Sequence, residues 1–301
     1  MDGRSWLGLV LLGSVWGSSF FFFEIALETL GPLTVALGRV VVAASMLGVI
    51  LAAIRTPVPL TGRFWGSIAL MGLLNNAIPF ALIAQAQTEI DSGLAAILNA
   101  TTPVFSVLLA SLLVRQEVLT SNRVLGVTLG FAGVVTLIGP DTLSPVGVSP
   151  TAQALVLLGA LSYASAGVFA RAFLTKHPFL VSSFGQVTTA ALWLLPLALV
   201  LERPWQASPT AETWGAIIAI GTLGTALAYP LYFLLLRRIG ATNLMLVTLI
   251  NPVVAVILGV FVLGESLAWT TFAGMALILV GLLAVDGRLV GRLRGKSETP
   301  P

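Results

Sequence analysis

Neutral polar side chains recur at helical spacing inside long apolar stretches of this 301-residue chain. The stretch at 213–236 carries Thr222, Thr225, Tyr229 and Tyr232, a spacing that places them along one side of a helix. An unpaired amide or hydroxyl costs several kcal/mol in hydrocarbon, so such faces must meet one another or water. They either form hydrogen bonds between helices or line a cavity, and their presence on several stretches favours a shared polar and aromatic cavity.

The chemistry of such a cavity is binding of a small solute. We predict that polar groups of the solute are bound by Asn75, Gln85, Asn99, Gln186 and Asn251. We predict that its apolar part packs on Trp16, Tyr163, Trp193 and Tyr229.

Arg39 is the one basic residue that lies well inside an apolar stretch, about 12 Å from its end at 1.5 Å per residue. A guanidinium at this depth could bind the carboxylate of a solute, and we include Arg39 among the predicted substrate-binding residues. The alternatives are a structural ion pair with Glu24 or Glu28, or a side chain that extends to the interface.

The sequence lacks the residues that most enzyme sites require. It contains no cysteine and one histidine, His177, in a short loop beside Lys176, so thiolate chemistry and histidine-rich metal sites are excluded. No Walker loop is present, which excludes direct use of ATP. We therefore predict no catalytic residues, no metal and no cofactor.

Composition identifies the elements that position these residues. Hydrophobic residues make up 57% of the chain and charged residues 9%, against about 25% charge in soluble domains. The expected fold is an all-α polytopic membrane protein, since a span needs about 20 apolar residues. The predicted spans are 5–24, 32–54, 64–85, 92–114, 122–139, 152–173, 178–201, 213–236, 242–263 and 267–286.

The distribution of basic residues predicts the orientation. With both termini in the cytoplasm, every one of the 15 Lys and Arg residues except Arg39 and Arg203 falls on the cytoplasmic side, as the positive-inside rule requires. The isoelectric point near 9.8 thus reflects topology and not a nucleic-acid partner. The partners we expect are the lipid bilayer and a small-molecule substrate.

The chain repeats itself after about 148 residues. Trp65-Gly66 then matches Trp214-Gly215, Gly72 matches Gly221, and Pro103 matches Pro252. The predicted units are a first five-helix repeat at 1–143, a second at 150–287 and a basic and polar cytoplasmic tail at 288–301. Because five is odd, the two repeats are inverted in the membrane, an arrangement typical of secondary transporters. A duplicated scaffold without transport activity is the alternative.

Two further features concern bending and packing. Prolines inside spans remove a backbone hydrogen bond, and we predict Pro79, Pro103, Pro230 and Pro252 as hinges, with static kinks as the alternative. Spans 5 and 10, around Gly126–Gly133 and Gly274–Gly281, are apolar and rich in small residues. They are predicted to pack outside the cavity, and a homodimer contact through them is one option.

Each half contains the same features in the same order: a proline, an apolar helix, a glutamate (Glu117 or Glu265), and glycines nine and sixteen residues after that glutamate. With the opening helix SVWGSSF at 14–20, this pattern resembles the drug/metabolite transporter superfamily, EamA-type branch, and within it the YddG-type exporters of aromatic and neutral amino acids. The resemblance implies a multi-pass transporter of the cell inner membrane that exports amino acids by alternating access. Export of lipophilic drugs or other metabolites, and a channel-like carrier, are alternatives.

Overall fold

The computed structural model describes residues 2–59, 61–113, 121–138, 149–173, 178–244, 247–266 and 268–286. The predicted tail at 288–301 and Glu117 lie outside the described residues. Within those ranges the regular structure is helical, without a strand. This confirms the prediction of an all-helical protein.

The helices of the first half are α1 (Gly3–Leu27), α2 (Pro32–Ala53), α3 (Gly62–Gly72), α4 (Ile78–Ala86), α5 (Ser92–Asn99), α6 (Thr102–Leu113) and α7 (Ser121–Ile138). Those of the second half are α8 (Pro150–Phe173), α9 (Phe179–Leu201), α10 (Ala211–Gly221), α11 (Ala228–Leu244), α12 (Val247–Leu258) and α13 (Trp269–Asp286). Three π-helical segments join or extend them: π1 (Leu73–Ala77), π2 (Thr222–Leu227) and π3 (Gly259–Leu263).

Seven helical runs are long and apolar enough to cross a membrane: Gly3–Leu27, Pro32–Ala53, Gly62–Ala86, Ser92–Leu109, Pro150–Ala170, Phe179–Leu201 and Ala211–Leu235. Three shorter apolar helices are Val124–Gly133, Ile250–Leu263 and Trp269–Gly281. The chain is thus a multi-pass membrane protein. Each apolar stretch predicted from the sequence overlaps one of these runs.

The third, fourth and eighth predicted spans are not the continuous α-helices that the sequence suggested. The fourth span breaks at Ala100 and Thr101, between α5 and α6, and Pro103 lies in the first turn after the break. The third and eighth spans widen into π1 and π2, which follow Gly72 and Gly221 at matched places in the two halves. Since π-helical turns are rare and are frequent at functional sites, this pair locates a region of interest.

One helix contact occurs twice in the fold. A Cβ atom at Gly185 of α9 would lie 2.7 Å from Ile68 Cγ2 of α3, and a Cβ atom at Gly38 of α2 would lie 3.0 Å from Ile217 Cγ2 of α10. These two pairs correspond under the shift of about 148 residues. A side chain at either glycine would press on the facing isoleucine, so glycine permits the close approach of the helices at both places. The α3–α9 and α2–α10 contacts therefore place equivalent residues around π1 and π2.

Two carboxylates from the second half bind helix N-termini of the first half. Glu202, after α9, accepts hydrogen bonds from the backbone N–H groups of Leu33 and Thr34 at 2.7 Å each. Glu265, after π3, accepts from the N–H groups of Ser92 at 2.8 Å and Gly93 at 3.1 Å. Carboxylates at these positions satisfy free N–H groups and the positive end of the helix dipole.

Spans 5 and 10 pack on each other within the chain as α7 and α13. A Cβ atom at Gly281 would lie 2.7 Å from the carbonyl oxygen of Gly126, and one at Gly133 would lie 2.8 Å from that of Gly274. The small residues noted in the sequence thus serve this internal contact. A homodimer through these spans stays a prediction, and it would need other faces of the same helices.

Candidate functional site

The centre of the candidate site is the side chain of Arg39 on α2, which is buried. Its Nε atom donates to Thr225 Oγ1 at 3.0 Å, and Nη2 donates to the carbonyl oxygen of Gly224 at 3.4 Å. Both acceptors belong to π2. Its guanidinium carbon lies 3.8 Å from the ring centroid of Phe80 and 5.4 Å from that of Phe23.

No carboxylate lies within ion-pairing distance of Arg39 among the described residues. The structure thus gives no support to the ion pair with Glu24 or Glu28 that the sequence left open. Gln87 Nε2 instead donates to Glu24 Oε2 at 3.2 Å, and Glu28 is exposed at the end of α1. Arg39 is stabilised by aromatic faces and neutral acceptors alone, which leaves its positive charge without a counterion.

Two tyrosines and an asparagine complete this cluster. Tyr163 on α8 and Tyr229 on α11 pack against the hydrophobic cluster that includes Phe23 and Phe80, the two rings beside Arg39. Asn76 in π1 donates from Nδ2 to Tyr229 Oη at 2.8 Å. The Tyr163 ring lies 6.4 Å, centroid to centroid, from the Phe80 ring. The cluster thus brings together residues from α2, π1, α4, α8, π2 and α11.

A second polar contact lies at the equivalent place in the other half. Asn75 Nδ2 in π1 donates to Gln186 Oε1 on α9 at 2.9 Å. Under the shift of about 148 residues, Gln186 corresponds to Arg39 and Asn75 to Gly224. The structure therefore pairs α9 with π1 and α2 with π2 in the same manner, with an amide in one half and a guanidinium in the other.

Proline explains part of the local backbone of π1. The N–H group of Ile78 binds the carbonyl of Leu73, five residues earlier, and Pro79 has no N–H group to bind the carbonyl of Leu74. Ser162 Oγ on α8 donates to that carbonyl at 2.7 Å. The proline thus frees a backbone acceptor near the site, and a neighbouring helix satisfies it.

Five of the predicted substrate-binding residues belong to these two equivalent contacts: Arg39, Tyr163 and Tyr229 to the first, and Gln186 with its partner Asn75 to the second. Asn99 lies elsewhere, at the end of α5, where its Oδ1 atom is buried and has no hydrogen-bond partner within the described ranges. Its role stays a prediction.

Trp16 and Asn251 belong to a separate contact between α1, α11 and α12. The Trp16 ring centroid lies 5.7 Å from that of Tyr232. With its amide oriented to satisfy both partners, Asn251 Nδ2 donates to the carbonyl oxygens of Gly13 at 3.1 Å and Val247 at 3.0 Å. These bonds hold α12 against α1.

Gln85 and Trp193 are the predicted residues that the structure places furthest from a shared interior. Gln85 is exposed and donates to Thr88 Oγ1 at 3.3 Å. Trp193 is 47% exposed, and its indole N–H donates to the carbonyl of Ala69 at 3.2 Å. The structure does not bring either side chain to Arg39. On α9, Gln186 is buried whereas Trp193 lies on an outward face.

The predicted hinges occupy distinct positions. Pro79 lies in the first turn of α4 after π1, and Pro230 lies near the start of α11 after π2. Pro103 follows the break between α5 and α6, and Pro252 lies inside α12. Three of the four therefore adjoin an interruption of regular helix. Whether they bend during function stays a prediction.

Sequence reasoning missed Phe23, Phe80, Asn76 and Thr225 as members of the site. The two phenylalanines lie in apolar runs, where a ring that contacts a cation has no distinguishing signal. The i, i+4 spacing of Asn76 and Phe80 was readable as a shared face. Thr225 belongs to the polar row predicted on 213–236. The repeat of about 148 residues relates Thr225 to Asn76, so it could have indicated both residues.

The geometry favours binding of an anion. A buried guanidinium without a counterion is costly, so an anionic group that enters the site gains both Coulomb attraction and charge-assisted hydrogen bonds. The surrounding rings offer an apolar surface next to that group. In the described residues, no cluster of His, Cys, Asp or Glu is suited to hold a metal ion.

Comparison with known proteins gives two matches to one family, the EamA-like transporter family, over residues 4–139 and 151–285. Among curated relatives, an uncharacterized inner membrane transporter, YedA, from Escherichia coli strain K12 is 25% identical over 92% of this chain and 89% of its own. A probable terminal-alkyne amino-acid exporter from Streptantibioticus cattleyicolor is 24% identical over 97% of this chain and 96% of its own.

A solved crystal structure shares the fold. Its TM-score is 0.68 at 18% sequence identity, and the match covers 99% of this chain and 100% of that chain. At this identity the likeness concerns the fold alone.

Proposed function

Because the chain belongs to the EamA-like transporter family, we propose that it is a secondary transporter that exports amino acids with aromatic or neutral side chains. Arg39 would bind the substrate carboxylate. Phe23, Phe80, Tyr163 and Tyr229 would surround the rest of the molecule with aromatic surface.

The observation that carries this proposal is the environment of Arg39. Its Nε and Nη2 atoms donate to π2, while Nη1 has no hydrogen-bond partner in the described parts of the chain. Buried charges are normally paired, and a guanidinium with free donors matches the two oxygens of a carboxylate. The probable amino-acid exporter among the relatives supports the same substrate class.

The proposal includes a topology. We place ten spans in the cell inner membrane, as two inverted five-helix repeats with both termini in the cytoplasm. The seven long runs and three shorter apolar helices support the number of spans, and the two family matches support the two repeats. The distribution of Lys and Arg supports the orientation.

Alternating access follows from the position of the site. Arg39, π1 and π2 lie where helices of the first half contact helices of the second, so relative movement of the halves would open the site to each side in turn. The carboxylate of Glu202 bridges to α2 and that of Glu265 to α5, both across the halves. In this topology both contacts lie at the outer surface of the membrane. They would therefore hold the outer side of the transporter closed.

Counterflow in liposomes tests the proposal. The purified protein is reconstituted, the vesicles are loaded with unlabelled phenylalanine, leucine, a dye or a quaternary ammonium compound, and uptake of the labelled form is measured. We expect saturable uptake of an amino acid that loading from the trans side stimulates. Trans-stimulated uptake of another solute, without any amino acid, would contradict the substrate class, and uptake without trans-stimulation would indicate a channel.

A further inference from the structure

We propose that Asn76 receives the ammonium group of the substrate, so that Arg39 and Asn76 together select zwitterionic amino acids over simple carboxylic acids. This inference rests on the proposed function and adds the second polar contact that an amino acid requires. It assigns specificity to a residue that forms no contact with a charged side chain in the structure.

The first observation is an unsatisfied acceptor. Asn76 is fully buried at 0% exposure, and its Nδ2 atom is used by Tyr229 Oη at 2.8 Å. Its Oδ1 atom is buried without a hydrogen-bond partner. An unpaired amide oxygen in a buried site costs free energy unless a donor arrives. An ammonium group has three N–H donors, which makes it a suitable partner.

The second observation is the place of Asn76 relative to Arg39. Phe80, whose ring contacts the Arg39 guanidinium, lies four residues after Asn76 and therefore on the same side of the helical run. Tyr229 accepts from Asn76 and packs against the hydrophobic cluster that includes Phe23 and Phe80, the two rings beside the Arg39 guanidinium. Asn76 and Arg39 thus share the surroundings of these rings. A small molecule with a carboxylate and an adjacent ammonium group can address both residues.

The third observation is the difference between the two halves. Position 39 of the first half is Arg, and its equivalent in the second half is Gln186; positions 75 and 76 are Asn, and their equivalents are Gly224 and Thr225. One end of the site therefore presents a cation and the other presents neutral amides. An anionic group binds at the first end, from which Arg39 repels a cationic group. An amide oxygen at the second end accepts the cationic group. The asymmetry fits a molecule with charges of both signs.

Paired competitors test this assignment directly. Counterflow of labelled phenylalanine is inhibited with phenylalanine or with 3-phenylpropionate, which lacks only the ammonium group, and leucine is compared with 4-methylpentanoate in the same way. In the wild type we expect the amino acid to inhibit at lower concentration. In Asn76→Leu we expect this preference to fall by about tenfold to hundredfold, because one hydrogen bond to a charged group is lost.

Two further variants serve as controls. Asn76→Thr, which installs the residue found at the equivalent position 225, keeps a neutral acceptor oxygen and should retain more of the preference for the amino acid than Asn76→Leu. Thr88→Val removes an exposed hydroxyl just after α4 and should behave as the wild type. Size-exclusion profiles and direct binding of 3-phenylpropionate establish that each variant is folded.

The outcomes separate this inference from the proposed function. If the wild type transports neither amino acid, the proposed function fails first. If the wild type transports an amino acid and Asn76→Leu keeps the wild-type preference, Asn76 does not read the ammonium group. If Asn76→Leu weakens phenylalanine and 3-phenylpropionate by the same factor, Asn76 has a structural role only, and the inference is overturned.

Discussion

The guanidinium carbon of Arg39 lies 3.8 Å from the centroid of the Phe80 ring, and among the described residues no carboxylate forms an ion pair with it. A cation over an aromatic face gains electrostatic attraction, and more so where water is excluded. Arg39 is therefore held at depth without neutralisation of its charge. That combination, a positioned and unneutralised cation, distinguishes a ligand site from a structural ion pair.

This relationship predicts the stability of Arg39→Gln. The substitution installs the residue found at the equivalent position 186, and it removes a buried charge that has no counterion. We expect a melting temperature in detergent at or above that of the wild type. A fall of several degrees would mean that Arg39 mainly stabilises the fold, and Gln186→Ala, which removes the bond from Asn75, provides the comparison for loss of a polar contact.

The Glu202 carboxylate predicts a stabilising contact between the halves. Glu202→Gln weakens the bonds to the N–H groups of Leu33 and Thr34 and removes the favourable interaction with the α2 dipole. We expect a loss of about 1–2 kcal/mol in the free energy of unfolding, the magnitude typical of a helix cap. Glu28→Gln, at an exposed carboxylate nearby, should have no measurable effect. Equal melting temperatures for the two variants would contradict this role.

Asp91 predicts a pH-dependent effect at the start of α5. Burial, and then the nearby Glu265 carboxylate, raise the pKa of Asp91 above its usual value. The folded protein thus binds the proton more tightly than the unfolded chain, so ionised Asp91 lowers stability increasingly as the pH rises from the unfolded pKa through the folded pKa.

Asp91→Asn should therefore raise the melting temperature at neutral pH, since Asn is an equally good residue before a helix. The gain should shrink as the pH falls through the Asp91 pKa, where the wild-type side chain becomes neutral. Glu89→Gln, at an exposed carboxylate in the same turn, is the matched control. A gain from Asp91→Asn that is the same at every pH would argue against a titration of this group.

The α7–α13 contact predicts opposite effects for two glycine substitutions. A Cβ atom at Gly281 would lie 2.7 Å from the carbonyl oxygen of Gly126, whereas one at Gly215 would meet no atom within 4 Å. Gly281→Ala should cost about 1–3 kcal/mol through overpacking. Gly215→Ala should be neutral or stabilising by up to about 1 kcal/mol, because alanine favours helix. Melting in detergent measures both, and a stabilising Gly281→Ala would exclude this close packing.

Much of the fold could be predicted because apolar length and small-residue patterns are local. The run at 32–54 gave α2 within one residue at its end. Gly126, Gly133, Gly274 and Gly281 indicated that spans 5 and 10 are packing helices, but not that α7 and α13 pack on each other. The widening into π1 and π2 could not be read, since it depends on how Pro79, Ser162 and the facing helices satisfy freed carbonyls. The sequence predicted a hinge at Pro103, whereas the helix breaks before it, at Ala100 and Thr101.

The candidate site could be predicted in part. Arg39, Tyr163, Gln186 and Tyr229 were identified because a polar or charged residue at depth must have a partner or a function. Trp193 and Gln85 were placed in the same cavity on helical spacing alone, which gives the face of a helix but not the neighbour of that face. Phe23 and Phe80 carried no signal because an apolar residue in an apolar run is expected everywhere.

The account depends most directly on Arg39 and a substrate carboxylate. The decisive measurement is counterflow of labelled phenylalanine and leucine into liposomes that contain equal amounts of folded wild type or Arg39→Gln. We predict saturable, trans-stimulated uptake by the wild type and a loss of at least about tenfold in apparent affinity for Arg39→Gln, since a charge-assisted bond is removed. Equal uptake by the two proteins would contradict the account.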